Sequence, residues 1–360
     1  MALTIPRTLE DITKDWLNEA MADRFPGIRI QSARVDGFLG YKPNKARVFL
    51  EYEGERRREY PETVYIKGSF RTNHSEKPSG IDVGNALEVP MYEEVLPDLN
   101  VNRPDCLYVR FDAKNFEGIL ILEDLEAKGA QFLGDAHCLT YGQAAAFIEA
   151  MGTFHGQWLN SPEFAEGGRF GPDSPIAQRS RFLNVEYLVE MVRPLFWEES
   201  IALPRGMALP QRFRNMERMA AAYESLKSVH SSAARTIIHG DSHLGNIHLT
   251  ARGQPGFHDW CSRIEPWVND FTYFICSNLD SLNRREWERP LLARYLTTLA
   301  RRAEAPSFEE AWFLYRCSTM FPFLTWLNNA QWQPETINTM NTVRAANAMS
   351  DHDVFGLLGV

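Results

Sequence analysis

Strand-like and helix-like patterns are segregated along this chain of 360 residues. Residues 28–125 are mainly strand-like. The clearest β-branched or aromatic runs in that part are 46–52, 63–67, 106–111 and 118–122. One helix is predicted between them, at about residues 84–96, whereas helical spacing dominates after Leu125. Strands first and helices afterwards predict an α+β fold, in which a small antiparallel-sheet lobe, arranged as a meander, precedes a larger and mainly helical lobe.

The charge and cysteine distribution exclude several classes of partner. The net charge is −9 and no basic run is longer than Arg56–Arg58, so the chain lacks the basic surface that nucleic-acid phosphates require. No apolar run approaches the roughly 20 residues that span a bilayer, and the N-terminus lacks the apolar stretch of a signal peptide. The five cysteines are scattered and include no CxxC pair, as expected for reduced thiols. We therefore expect a cytoplasmic protein that binds neither nucleic acid nor membrane.

The densest polar motif is the segment Ile237–Leu249, a loop between two predicted strands. It contains Asp241 and, five residues later, Asn246; Asp259 follows eighteen residues after Asp241, behind another short strand. Phosphoryl transfer needs a carboxylate to accept the proton of the attacking hydroxyl, and oxygen ligands that hold Mg²⁺ against the phosphates. The pattern predicts Asp241 as the catalytic residue and Asn246 and Asp259 as metal ligands.

The order of these motifs carries a resemblance to a known family. His-Gly-Asp-x-His-x-x-Asn, followed by an apolar strand and Asp-Trp, resembles the aminoglycoside phosphotransferase and choline kinase superfamily, whose fold is similar to that of protein kinases. Within it, the chain most resembles the ecdysteroid-kinase-like group. The resemblance covers residues 30–300, and its further matching pieces are Glu88–Pro97, Leu122–Leu125 and Asn269–Phe274.

The resemblance implies a bilobal, protein-kinase-like fold that uses ATP and Mg²⁺. Its nucleotide-binding lobe would comprise residues 1–122, its hinge residues 123–127, and its catalytic and acceptor-binding lobe residues 128–360. The nucleotide is expected between the two lobes.

The resemblance also assigns nucleotide-binding residues. Lys67, on the third strand, would contact the α- and β-phosphates of ATP. Glu88 follows 21 residues later and would pair with Lys67, since a buried ammonium needs such a partner to stay charged. Glu123 and Leu125, in the hinge, would offer backbone groups to adenine. The glycine-rich phosphate loop of the family is matched only in part, by two glycines within residues 37–44.

Four further polar residues surround these motifs. His239 is predicted to hold the loop rather than to take part in the chemistry, and Asp270 to brace the same loop. Asp124 is predicted to be part of the hinge structure. For His243, both a packing role and a role in the site stay open.

The expected function is ATP-dependent transfer of the γ-phosphoryl group to a hydroxyl of a small molecule. Candidate acceptors include steroid or terpenoid alcohols, amino alcohols, aminoglycosides and hydroxyacyl thioesters; the family resemblance and the aromatic residues favour an apolar acceptor. One alternative is a kinase-like module that binds nucleotide without catalysis. Another is a metal-dependent phosphoesterase, suggested by the pair Asp241 and His243. The sequence does not indicate an oligomeric state.

Overall fold

The structure is a computed structural model. It describes residues 3–38, 45–54, 57–70, 88–112, 114–115, 117–134, 138–182, 192–329 and 332–360. The chain divides into two compact units. The first comprises Met1–Gln131 and Leu249–Gly253, and the second comprises Phe132–His248 and Gln254–Val360.

An antiparallel sheet forms the first unit. Its strands within the described residues are β1 (Ile30–Phe38), β2 (Lys45–Tyr52), β3 (Thr63–Gly68), β4 (Cys106–Asp112) and β5 (Glu117–Glu123). Their order in the sheet is β1-β2-β3-β5-β4, and every neighbouring pair is antiparallel. The sequence predicted strands β2 to β5 correctly. The expected meander is wrong beyond β3, because β5 lies between β3 and β4.

The side chains of β4 and β5 explain this exchange. Residues 117–122 of β5 are all buried, and the apolar run Ile119–Ile121 needs cover on both faces. Strand β4 is only half-buried along its length and contains Arg110, which suits the edge of a sheet. The more apolar strand therefore occupies the interior position, although it comes later in the chain.

Two helices cover the two faces of this sheet. Helix α1 (Lys14–Met21) packs its buried residues against the face that carries Ile66 and Ile121. Helix α2 (residues 88–94) approaches β5 from the other face. A Cβ atom on Gly118 would lie 2.6 Å from Val89 Cγ2, so this close approach requires glycine. The approach brings the first described turn of α2 to the face of the sheet on which Lys67 lies, because side chains alternate along a strand.

Helices dominate after β5. Within the described residues they include α3 (Tyr141–Trp158), α4 (Pro175–Phe182), α5 (Pro194–Ala202), α6 (Pro204–Met207), α7 (Met216–Ser231), α8 (Trp267–Asn278), α9 (Ser281–Leu299), α10 (Phe308–Ser318), α11 (Met320–Leu327), α12 (Glu335–Asp351) and α13 (Val354–Leu357). The strands of this part are β6 (Gln131–Phe132), β7 (Arg235–Ile238), β8 (Ile247–Leu249), β9 (Pro255–Phe257) and β10 (Arg263–Pro266). Strands β7 and β10 pair antiparallel, and β8 and β9 are neighbours in a second small sheet.

Helix α8 lies at the centre of the second unit, and all twelve of its residues are buried. A helix without an exposed face is held by packing on every side, so its polar side chains have fixed partners. Within the described part of the chain, no helix is both long and apolar enough to span a lipid bilayer.

Candidate active site

The predicted catalytic loop lies in the second unit, between β7 and β8. The chain leaves β7 and turns at Gly240, whose φ of +83° lies in the left-handed region. A Cβ atom at this position would also approach the carbonyl oxygen of Cys261 to 2.4 Å. Both the backbone conformation and this close contact therefore require glycine. The turn presents Asp241 at the start of the loop.

The carboxylate of Asp241 is held on both oxygens. Its Oδ1 accepts a hydrogen bond of 2.8 Å from the Tyr273 hydroxyl, and its Oδ2 accepts one of 2.9 Å from Asn246 Nδ2. Asn246 Nδ2 also donates to the backbone oxygen of Asp241, at 2.9 Å. The Asp241 side chain is nevertheless 38% exposed. The carboxylate is thus fixed in orientation and still open to a ligand.

Asp259 is brought beside this loop by backbone hydrogen bonds. His258 N donates to Asn246 O, and Cys261 N donates to His239 O, both at 3.0 Å. Asp259, between these two contacts, has a φ of +55°, an uncommon value for a residue with a side chain. Such a conformation costs of order 1 kcal/mol or more, least for Asp and Asn, and observed strain of this kind is concentrated at functional sites.

The donor set of Asn246 and Asp259 suits Mg²⁺. The amide nitrogen of Asn246 is used by Asp241, so the Oδ1 atom is the end of that side chain left to bind a cation. A carboxylate and an amide oxygen are ligands that Mg²⁺ accepts, and the ion commonly completes its shell with water and phosphate oxygens. Among the described residues, no group of three or more His, Cys, Asp or Glu side chains is arranged to hold a metal ion.

Asp270 of α8 braces the loop, as the sequence predicted. Its two carboxylate oxygens accept from His239 N at 2.6 Å and from Gly240 N at 2.8 Å, and His155 Nε2 lies 3.2 Å from one of them. Burial opposes the charged form of Asp270, but the hydrogen bond and charge of His155 outweigh it and lower the pKa of this carboxyl. A charged acceptor in this position fixes the backbone that precedes Asp241.

His239 holds the loop in place. His239 Nδ1 accepts from Asp241 N at 3.1 Å, and its Nε2 lies 3.0 Å from His258 O, which makes Nε2 the protonated nitrogen. Burial lowers the pKa of His239, so the neutral ring is favoured. The predicted holding role of His239 is confirmed.

For His243, the structure shows the packing role, and the role in the site stays a prediction. Its Nδ1 accepts from Gly245 N at 3.0 Å and its ring packs edge-on against Trp326, at 5.4 Å between centroids. The other ring nitrogen, Nε2, lies 3.8 Å from Asp241 Oδ2. His243 therefore has a packing role and also lies near the carboxylate of Asp241.

In the first unit, Lys67 and Glu88 form the predicted ion pair. Lys67 Nζ contacts Glu88 Oε2, and the two side chains are only 10% and 5% exposed. Two other glutamates lie on the same helix, of which Glu93 is exposed and Glu94 is half-buried. The structure thus selects Glu88 as the partner of the strand lysine.

The predicted hinge is organised by Asp124, which is 1% exposed. Its carboxylate accepts from Arg47 Nη2 at 2.7 Å, from Thr63 Oγ1 at 2.5 Å, and from the backbone of Glu126 and Ala127 at 2.9 and 3.2 Å. The expectation that Asp124 is structural is confirmed. Arg47 extends this set by binding Glu126 at 2.9 Å.

The backbone groups of Glu123 and Leu125 differ in whether they form hydrogen bonds within the protein. Glu123 N donates to Asp105 O at 2.9 Å, and Leu125 O accepts from Ala130 N at 2.9 Å. The N–H of Leu125 donates to none of the residues that the structure describes. A backbone donor without a partner in a turn fixed by Asp124 is available to a ligand.

Sequence reasoning missed Tyr273 and Arg47, which contact Asp241 and Asp124. A signal for Tyr273 was present: it lies three residues after Asp270, and residues at i and i+3 share one face of a helix. For Arg47 no comparable signal exists, since its partner lies 77 residues away. Most of the partly matched phosphate loop, residues 39–44 of the stretch 37–44, lies outside the described residues.

Comparison with protein families identifies the chain. The sequence model of the ecdysteroid kinase-like family matches residues 41–306. This chain belongs to the ecdysteroid kinase-like family. The match confirms the resemblance drawn from the loop motif. A search of curated proteins gave no match.

Solved structures similar to this family member show the fold. They include choline kinase LicA from Streptococcus pneumoniae, 13% identical, covering 94% of this chain and 98% of that one, with a TM-score of 0.52. A choline kinase from Cryptosporidium parvum Iowa II is 11% identical, with 95% of each chain covered and a TM-score of 0.55. Aminoglycoside 2′-phosphotransferase-IIIa is 14% identical, with 94% and 99% covered and a TM-score of 0.50. The predicted α+β, bilobal protein-kinase-like fold is confirmed.

Proposed function

We propose that this protein is a Mg²⁺- and ATP-dependent kinase that transfers the γ-phosphoryl group to a hydroxyl of a small molecule. The observation that carries the proposal is the carboxylate of Asp241, oriented by Tyr273 and Asn246 and still open to a ligand. A carboxylate with four lone-pair sites that spends only part of them on the protein keeps acceptor capacity for a hydroxyl proton.

The second unit supplies the groups for proton transfer and metal binding. Asp241 accepts the proton of the acceptor hydroxyl as the new oxygen–phosphorus bond forms and the bond to the ADP oxygen breaks. Asn246 Oδ1 and the Asp259 carboxylate hold Mg²⁺, which neutralises charge on the phosphates when it is bound. Positioning and electrostatic stabilisation supply most of the catalysis in this reaction class.

The first unit supplies the groups for the nucleotide. Lys67, kept charged by Glu88, binds the α- and β-phosphates, and the N–H of Leu125 donates to adenine beside Glu123. Support comes from two similar structures, of aminoglycoside 2′-phosphotransferase-IIIa in complex with GDP and of LicA in complex with AMP. Residues 1–122 as nucleotide-binding lobe, 123–127 as hinge and 128–360 as catalytic lobe remain part of the proposal.

We propose an apolar alcohol as the first acceptor class to test. Support comes from the family, whose description names an ecdysteroid kinase. The aromatic residues near the C-terminus add less support than the sequence suggested, because most of them are core. Phe321, Phe323 and Trp326 are buried, and among this group only Phe313 and Trp332 are exposed large hydrophobic residues.

A screen of hydroxyl compounds tests the proposal. The protein is incubated with Mg-ATP and pools of steroid and terpenoid alcohols, amino alcohols and aminoglycosides, and products that have gained one phosphoryl group are detected by mass. We expect phosphorylation with the natural chain and none with Asp241→Asn. Thermal stabilisation by Mg-ATP without turnover of any compound would favour the nucleotide-binding module instead. A metal-dependent phosphoesterase spreads its ligands along a doubly wound sheet, whereas the five-stranded sheet of the described residues is antiparallel throughout, which disfavours this alternative.

A further inference from the structure

One face of helix α8 holds four consecutive residues of the catalytic loop. Asp270 accepts from the backbone of His239 and Gly240, Tyr273 donates to the side chain of Asp241, and Asn278 Nδ2 donates to Ser242 O at 2.9 Å. Among these contacts, the hydrogen bond from Tyr273 is the one that reaches a reacting group. Tyr273 lies in the matching piece Asn269–Phe274, but sequence reasoning assigned it no role.

The hydroxyl of Tyr273 is held firmly in place. Tyr273 is 2% exposed and its ring stacks on Trp326, with 5.8 Å between centroids and 11° between planes. The indole of Trp326 is fixed in turn, because its Nε1 donates to Ser277 Oγ at 2.8 Å and its carbonyl accepts from Arg205 at 3.1 Å. A side chain locked by packing and by a second layer of hydrogen bonds holds a functional group within a narrow range of positions.

We propose that Tyr273 is a positioning residue for Asp241, which it holds in the orientation that receives the acceptor hydroxyl. The inference rests on the proposed kinase function. Tyr273 acts through Asp241 and does not itself touch the acceptor, since its ring is buried in the core.

The chemistry of the contact supports this role. Tyr273 takes one lone pair of Oδ1 and Asn246 takes one of Oδ2, so rotation of the carboxylate breaks a hydrogen bond on each side. Burial, together with the charge of Asp241, raises the pKa of Tyr273 well above its ordinary value. The phenol therefore stays protonated and remains a donor.

Loss of the hydroxyl should affect orientation more than stability. Asp241 is partly exposed, so water replaces the missing donor, but water does not fix the carboxylate. The Phe variant keeps the stacking on Trp326. We expect Tyr273→Phe to lower kcat by roughly 10- to 100-fold, the range that corresponds to one hydrogen bond to a charged group. The Kd of Mg-ATP and the melting temperature should stay close to those of the natural chain.

The measurement is ADP release from Mg-ATP, with water as the phosphoryl acceptor and with any alcohol that the screen identifies. The matched control is Tyr223→Phe in the same core. Tyr223 is fully buried, and its hydroxyl forms no hydrogen bond with the described residues. It should leave kcat unchanged. A rescue variant carries 4-aminophenylalanine at position 273, which restores a donor at the same place and should recover most of the lost turnover.

Three results would overturn the inference: an unchanged kcat in Tyr273→Phe, a loss equal to that in Tyr223→Phe, or a loss that follows weaker binding of Mg-ATP. If the natural chain releases no ADP under any condition, the proposed function fails, and crystal structures decide the positioning role separately. The inference then stands if the Asp241 carboxylate rotates in Tyr273→Phe, and it falls if the carboxylate keeps its orientation.

Discussion

Two charged side chains proposed for one reaction, Lys67 and Asp241, are held by different means. In the first unit, the Lys67 ammonium is buried against the opposite charge of Glu88. In the second unit, Asp241 is partly exposed and accepts hydrogen bonds from the neutral donors Tyr273 and Asn246. One arrangement depends on charge balance inside the protein, and the other on the geometry of uncharged groups.

The difference predicts how each arrangement fails. Removing one partner of a buried ion pair leaves an uncompensated charge and typically costs about 3–5 kcal/mol of stability. Removing one neutral donor from a partly exposed carboxylate costs far less, because water takes its place. We therefore expect stability and activity to fall together in the first unit, and activity to fall alone in the second.

The largest expected effect on turnover is that of Asp241→Asn. The change keeps the shape of the side chain but removes the proton acceptor, which usually costs roughly 10²–10⁴-fold in rate. Binding of Mg-ATP, followed by calorimetry, should remain near normal, and the melting temperature should change little. Asp173→Asn, at an exposed carboxylate of the same unit, is the control and should have no effect.

Asp259→Asn distinguishes the proposed metal-binding role of Asp259 from the proton-accepting role of Asp241. Asparagine tolerates the left-handed conformation of this position, so the backbone is retained while a charged metal ligand is lost. We expect the Mg²⁺ dependence of ATP binding to weaken together with turnover. If Mg²⁺ titrations show that Asp241→Asn loses metal-dependent binding while Asp259→Asn keeps it, the two roles are reversed.

The ion pair gives the next largest effect. Glu88→Gln should lower both turnover and stability, the latter by about 3–5 kcal/mol in urea unfolding, because the buried Lys67 ammonium loses the negative charge of Glu88. The double variant Lys67→Met with Glu88→Gln should recover much of the stability but none of the turnover. This result separates charge balance from function.

Glu93→Gln, on the exposed side of the same helix, is the matched control and should behave like the natural chain. Equal stability in Glu88→Gln and the natural chain would contradict the contrast between the two units.

The sequence was informative where a residue's role depends on its near neighbours. Asp241 and Asn246 share one loop, so the sequence already placed them near each other. The Lys67–Glu88 pair followed from a family spacing, and the structure contains that contact. Contacts between distant segments were not predictable. The place of β5 depends on competition between two strands for the centre of the sheet, which no single segment encodes.

Hydrogen-bond partners that are distant in sequence were also not predictable. Tyr273 lies 32 residues from Asp241, and Arg47 lies 77 residues from Asp124. An isolated tyrosine or arginine in sequence is compatible with many partners, and only the fold decides among them. Supporting residues inside a recognised motif, such as His239 and Asp270, were therefore predicted, whereas the supports Tyr273 and Arg47 were missed.

A smaller effect on activity is expected at the hinge, where Arg47 and Asp124 form another charged pair of the first unit. Arg47 donates to the Asp124 carboxylate from Nη2 at 2.7 Å and from Nε at 2.8 Å, and its Nη1 binds Glu126. Arg47→Lys keeps the charge beside Asp124, but a single ammonium cannot make these three contacts. We expect the KM for ATP to rise roughly 3- to 10-fold, the equivalent of about one hydrogen bond, with kcat nearly unchanged. Arg34→Lys on the neighbouring strand, where the arginine is exposed, should leave both constants unchanged. A fall in kcat at constant KM would argue against a role in holding the nucleotide.

The smallest expected effect on turnover is that of Glu265→Gln, at the base of the catalytic loop, where β10 pairs Glu265 with Thr236 of β7. Burial raises the pKa of Glu265 to about 7, although Arg263 and Arg235 oppose the shift. The folded chain therefore holds a proton that the unfolded chain releases above its ordinary pKa of about 4.5. The stability from this proton is complete below about pH 4.5 and is lost as the pH rises through about 7, a change of order 3 kcal/mol.

Glutamine carries no charge at either pH. The stability of Glu265→Gln relative to the natural chain should therefore increase from pH 5 to pH 8, with kcat unchanged. Urea unfolding of both chains at the two pH values measures the gain, and Glu286→Gln, at an exposed carboxylate, is the control. Parallel pH curves for Glu265→Gln and the natural chain would show that this carboxyl does not bind its proton on folding. A gain confined to pH 8 would show that the folded chain keeps the Glu265 carboxyl neutral near pH 5, unlike Lys67, whose charge is balanced by Glu88.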